Sequence, residues 1–95
     1  MPRKSHKRTP TIISGTLYLA NGEGFGLDTP EWRSFVATGE TFYHNDNRYT
    51  CRRERRRNGF YWYAFKKIDG KLSKVYLGTD DKLTPAALRS TFAGA

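Results

Sequence analysis

Residues 52–78, RRERRRNGFYWYAFKKIDGKLSKVYLG, decide the fold. Asn58-Gly59 and Asp69-Gly70 each stand between runs in which polar and apolar residues alternate. Both central residues of a tight primed hairpin turn take positive φ, which Asn-Gly and Asp-Gly tolerate best, so the spacing predicts consecutive hairpins in a β-meander. Two-residue loops also fix register. Around Asn58-Gly59 the expected pairs are Arg56 with Tyr61, Glu54 with Tyr63, Arg52 with Phe65 and Thr50 with Lys67. Around Asp69-Gly70 they are Lys67 with Leu72, Phe65 with Lys74 and Tyr63 with Tyr76. One face then carries Thr50, Arg52, Glu54, Arg56, Tyr61, Tyr63, Phe65, Lys67, Leu72, Lys74 and Tyr76. The other carries Cys51, Phe60, Trp62, Ala64, Ile68, Val75 and Leu77, with Arg53, Arg55, Arg57, Lys66 and Ser73 toward its rim. A helix is expected on this second face, where small Ala64 allows close approach, and the basic-aromatic face is left outward.

That helix is expected from the C-terminal segment LTPAALRSTF, residues 83–92. Thr84 can cap it, Pro85 suits its first position, and Leu83 can pack on Leu88 as a staple. Upstream, TFYH (residues 41–44) and RYTCRRERRR (residues 48–57) flank Asn45-Asp46-Asn47, a further turn. DTPEWRSFV, residues 28–36, reads as a short helix. Asp28 or Thr29 can cap it, Pro30 sits in the first turn, Trp32, Phe35 and Val36 share a face, and Gly39 ends it. Residues 11–28 suggest one short strand around Leu17 and Leu19, then a glycine loop that matches no phosphate-binding fingerprint. The expected fold class is α+β. A three-stranded antiparallel meander, extended to four or five strands if the N-terminal half adds to it, packs on one C-terminal helix, with a short helix near 30–37.

Ninety-five residues allow one domain. Residues 1–10 read as a flexible basic arm and 11–95 as a single domain with its sheet-helix unit at 49–92. The net charge is +8, and it is unevenly placed: residues 48–78 carry ten basic and two acidic side chains, residues 11–47 one basic and five acidic. Such a pole points to a polyanion partner. A lone Cys51 excludes an internal disulfide and reads as a small buried hydrophobe, and no Cys/His cluster has metal-ligand spacing. His6 and His44 read as solvated. Asp80-Asp81 precedes a helix cap and reads as a solvated loop, and no nucleophile stands beside a base, so neither catalysis nor a cofactor or small-molecule ligand is expected. No apolar run approaches the ~18 residues of a membrane span, and the basic start lacks an apolar core. A cytoplasmic, nucleoid-associated protein with no membrane partner is expected.

Asp28–Trp32 (D-T-P-E-W) and the block Arg52–Gly78, with G-x-Y-W-x-A and V-Y-L-G inside it, resemble small bacterial proteins of unassigned role. Over about residues 49–92 the pattern also resembles the DNA-binding domain of plant Apetala-type and ethylene-response transcription factors, and is similar to the arm-site-binding domain of tyrosine integrases. In the plant domains a three-stranded sheet lies in the major groove. The resemblance implies DNA contacts by Arg52, Glu54, Arg56, Phe65, Lys67, Lys74 and Tyr76. Arg56 and Tyr76 stand where the plant pattern has tryptophans, and Phe65 where it has a glutamate, so no base preference carries over.

Tyr61 and Tyr63 share that outward face and join the expected DNA-binding set. Arg53, Arg55, Arg57 and Lys66 at the rims, with Arg3, Lys4, Lys7 and Arg8 in the arm, are the expected phosphate contacts. The expected function is double-stranded DNA binding through the outward face in the major groove, as a transcriptional regulator or mobile-element accessory protein. Two alternatives use the same residues: an RNA or single-strand binder with an aromatic stacking platform, and a protein-interaction module that masks an acidic partner. A dimer is compatible with either nucleic-acid reading, but no segment identifies an interface.

Overall fold

The computed structural model describes residues 9–93. Seven strands, β1 (Thr11–Ile13), β2 (Thr16–Tyr18), β3 (Gly24–Gly26), β4 (Thr41–His44), β5 (Tyr49–Arg56), β6 (Gly59–Ile68) and β7 (Lys71–Gly78), share one sheet in the order β3-β2-β1-β4-β5-β6-β7. Its ladders are antiparallel except for the β1–β4 pair, which is parallel. Helix α1 (Pro30–Thr38), a 3₁₀ turn (Asp80–Lys82) and helix α2 (Pro85–Ser90) complete the chain.

This overturns the three-stranded meander on a C-terminal helix: the protein is mostly β, a seven-stranded mixed sheet with two short helices. The reasons are local. Helix α2 stops after six residues, and Phe92 beyond it takes φ +56°. In the glycine-rich N-terminal segment, Ser14 and Gly15 take φ +49° and +83° and turn a hairpin between β1 and β2. Serine seldom supplies that conformation, and three-residue strands are too short to display period two.

Helix α1 forms as its capping residues dictate. The Thr29 side chain accepts from the Trp32 N–H at 3.4 Å, and Pro30 occupies the first position, where its missing N–H costs nothing. The Gly39 N–H donates to the Phe35 carbonyl at 2.6 Å. A Cβ on Gly39 would lie 2.7 Å from that oxygen, so the stop tolerates no side chain. The helix buries Trp32 and Val36 on the sheet, where the Trp32 ring meets Phe42 edge-on at 5.4 Å and Phe42 meets Trp62 at 5.2 Å. Ile12, Leu17, Cys51 and Ala64 continue this inner face. Long-range hydrogen bonds fasten the C-terminal segment: Trp32 Nε1–H donates to the Leu83 carbonyl at 2.9 Å, the Tyr49 hydroxyl to the Leu88 carbonyl at 2.7 Å, and Asn47 Nδ2 to the Arg89 and Thr91 carbonyls at 2.8 and 2.9 Å.

The Asp69-Gly70 hairpin has the expected register, with Lys67 opposite Leu72, Phe65 opposite Lys74 and Tyr63 opposite Tyr76. At the other hairpin the turn is Arg57-Asn58, and Gly59 opens β6 at φ +137°. Arg56 therefore pairs with Gly59, Glu54 with Tyr61, Arg52 with Tyr63 and Thr50 with Phe65. The slip is two residues, an even number, so no side chain changes face. The faces stand although the pairs differ.

Three inner-face expectations need correction. His44 is buried rather than solvated: its ring stacks on Tyr49 at 4.8 Å, and Nδ1 accepts from the Asn47 N–H at 3.2 Å. Phe60 and Val75 remain 49% and 38% exposed, because the short α2, fastened at Tyr49, leaves them uncovered.

Candidate nucleic-acid interface

The nine expected DNA-binding residues, Arg52, Glu54, Arg56, Tyr61, Tyr63, Phe65, Lys67, Lys74 and Tyr76, lie on the outward side of β5, β6 and β7. Strand alternation places them there. Trp62 and Ala64 are fully buried inward, so Tyr61, Tyr63 and Phe65 between and beside them point out.

The rings are not bare. Tyr63 has the Lys74 ammonium 4.4 Å and the Arg56 guanidinium 5.0 Å from its centroid, and the Tyr76 ring meets it edge-on at 5.4 Å. Phe65 lies under Lys74 at 5.5 Å and Arg52 at 5.9 Å. These distances are within cation–π range, so each cation is held near the sheet by a ring. The Tyr63 hydroxyl also accepts from Arg56 Nε at 3.3 Å, which raises the guanidinium pKa further. Tyr76, 59% exposed, is the most open ring of the group.

Glu54 sits within this array and is held by it. Its Oε1 accepts from Arg56 Nη2 at 2.5 Å and lies 3.4 Å from Lys74 Nζ. A carboxylate clamped by two cations both orients them and offsets their charge.

The expected phosphate-contact residues divide. Arg53 is occupied structurally, with Nη1 donating to the Ala37 carbonyl at 2.6 Å and its guanidinium 4.3 Å above the Phe60 ring. Lys66 points to the inner side, 6.0 Å from the Phe92 ring centroid. Arg55 and Arg57 are exposed near the β5–β6 turn. Arg3, Lys4, Lys7 and Arg8 lie outside the described residues.

The outward face is wider than the sequence suggested. One unbroken row of paired residues crosses all seven strands: Gly24, Tyr18, Thr11, Tyr43, Thr50, Phe65 and Lys74. Tyr18, Thr11 and Tyr43 were missed. The alternation of Thr16, Leu17 and Tyr18 held the signal, but only a hairpin at Ser14-Gly15 makes it legible. Along this extension Thr9, Thr11, Thr41, Tyr43 and Thr50 line a shallow hydroxyl-rich hollow.

Among the described residues no group of His, Cys, Asp and Glu is arranged to hold a metal ion, and no helix is long and apolar enough to cross a membrane. Cys51 is buried, and desolvation pushes its thiol pKa well up, so it stays protonated. Comparisons with protein-family models, curated proteins and solved structures match nothing to the chain.

Proposed function

We propose that the chain binds double-stranded DNA through the outward basic-aromatic face of β5–β7, in the major groove. Transcriptional regulation or service to a mobile element, in the cytoplasm and on the nucleoid, is the role this reading fits. The observation that carries it is the covering of the rings by cations. A stacking platform for unpaired bases needs open ring faces, whereas Tyr63 and Phe65 are each flanked by two cations. Cations so held are fixed at defined spacings along the sheet, as duplex phosphates and guanine edges require. The resemblance of about residues 49–92 to sheet-based DNA-binding domains supports the same surface.

The test is fluorescence anisotropy against random duplex DNA, single-stranded DNA and double-stranded RNA at two salt concentrations. Salt-sensitive preference for duplex DNA is expected. Arg52→Ala and Lys74→Ala should each weaken it about 5- to 10-fold at ~0.1 M salt, the share of one phosphate contact, with unchanged Tm. Tighter binding to single strands, or none at low salt, refutes the reading.

A further inference from the structure

We infer, resting on that reading and narrowing it, that of the outward face only the β5–β6 hairpin end enters the major groove, and that the broad part of the sheet, Lys74 included, stays outside it against the flanking phosphates. The inference comes from how the sheet narrows. At Thr50 and Phe65 it is seven strands wide. Two residues nearer the β5–β6 turn the row is Thr41, Arg52, Tyr63 and Tyr76, four strands. Beyond it β4 has ended at Thr41, and β7 has reached Gly78 opposite Trp62, so Glu54 and Tyr61 form a two-strand row. With strands about 4.8 Å apart, these rows span roughly 29, 14 and 5 Å. The major groove is about 12 Å wide and about 8.5 Å deep, and it admits a two-stranded ribbon. The seven-strand row cannot enter it. The ribbon can, and its length from Arg53 to Arg56, roughly 10 Å at ~3.4 Å per residue, exceeds the groove's depth.

The chemistry of the narrow end agrees. Arg55, Arg56 and Arg57 are exposed around it, and Arg55 and Phe60 face the side opposite Arg56, so the ribbon offers contacts to both groove walls. Its root is braced, because Arg53 ties β5 to the end of α1 through the Ala37 carbonyl and packs on Phe60. Where β4 stops, an open notch of about 690 Å³ separates the ribbon from the body. Arg52, Arg53 and Arg55 line it with Glu40 and Glu54, and it is the place for the sugar-phosphate ridge beside the groove. Lys67, toward the opposite end of β6, stays away from the DNA.

Lys67→Ala and Arg55→Ala each remove one exposed charge, so they affect long-range attraction alike and separate insertion by the ribbon from a sheet laid flat. The experiment measures duplex affinity of the full chain with each, with Arg57→Ala as a second ribbon variant and Tm as the folding control. It adds methylation protection of guanine N7 on a bound duplex. Arg55→Ala and Arg57→Ala should lower affinity about 10-fold, Lys67→Ala less than about 2-fold, and N7 should be protected. An A-form RNA duplex, whose deep major groove is too narrow for a ribbon, should bind more weakly. Lys67→Ala costing as much as Arg55→Ala, or unprotected N7, overturns the ribbon while leaving the outward face as the DNA surface. Absence of wild-type duplex binding removes both.

Discussion

Glu54→Gln tests the outward face of β5–β7 from the side of the carboxylate that holds its cations. The substitution keeps the shape and removes the charge that lies 2.5 Å from Arg56 Nη2 and 3.4 Å from Lys74 Nζ. If Glu54 holds these two cations in waiting for phosphates, its loss frees both. Each added phosphate contact steepens the slope of log K against log salt by about 0.9, so each is worth about 5-fold in affinity near 0.15 M. One to two released cations give about 5- to 30-fold tighter binding to random duplex DNA and a slope steeper by about 1 to 2. Stability moves the other way, by no more than about 1 kcal/mol for each exposed ion pair lost. Anisotropy titrations across a salt series read the first effect and a thermal melt the second. Unchanged affinity and slope would refute the clamp. Weaker binding to a selected site would instead make Glu54 a base contact, accepting from a cytosine amino group.

The two buried tryptophans make a second prediction. Trp32 Nε1–H has the Leu83 carbonyl, while Trp62 Nε1 has no hydrogen-bond partner among the described residues. Trp32→Phe leaves a buried carbonyl unpaired and Trp62→Phe removes an unpaired donor, each worth ~1–3 kcal/mol in opposite senses, so Trp32→Phe should cost at least ~2 kcal/mol more in urea unfolding. Equal costs would show the two indoles to be alike. His44 supplies a pH dependence. Burial holds its pKa below the usual 6.5, partly opposed by Asp46, so the unfolded chain takes up the proton first. Its contribution is complete above about pH 6.5 and is lost as pH falls through the depressed folded value, with a slope of at most ~1.4 kcal/mol per pH unit. Tm should therefore fall from pH 7 to 5, and fall less in His44→Asn; equal falls would exclude His44 as the cause.

The two hairpins that join β5, β6 and β7 were legible, though the sheet they belong to was not, because alternation and turn chemistry are written into adjacent residues. Asp69-Gly70 supplies both positive φ values itself, and its register was readable to the residue. Asn58-Gly59 placed only its glycine there, yet the two-residue slip preserved the faces, and the outward set of side chains with them. What was illegible depends on distant partners. Nothing near Thr11 announces that it will lie beside Tyr43, and His44 reads as polar until Tyr49 stacks on it. Phe60 and Val75 misled in the opposite direction, since their exposure follows from where α2 ends. The taper belongs to the same class: each strand's length can be guessed, but the width of a row follows only from the pairing of all seven.

The parallel β1–β4 ladder holds only two residue pairs, Thr11 with Tyr43 and Ile12 with His44. It is the seam between two antiparallel meanders, β1–β3 and β4–β7, each of which can zip from its own hairpins. Closing it requires residues more than thirty positions apart in the chain, so it carries the largest loop-closure entropy of any ladder in the sheet. Subglobal opening is cheapest along such a line. Amide exchange at Tyr43 and Asn45, whose N–H groups donate to Pro10 and Ile12 across the seam, then reports separation of the halves before β5 and β6 lose protection. Two molecules open there at once have a route to exchange their first three strands, giving an intertwined pair that reuses the monomer's own contacts.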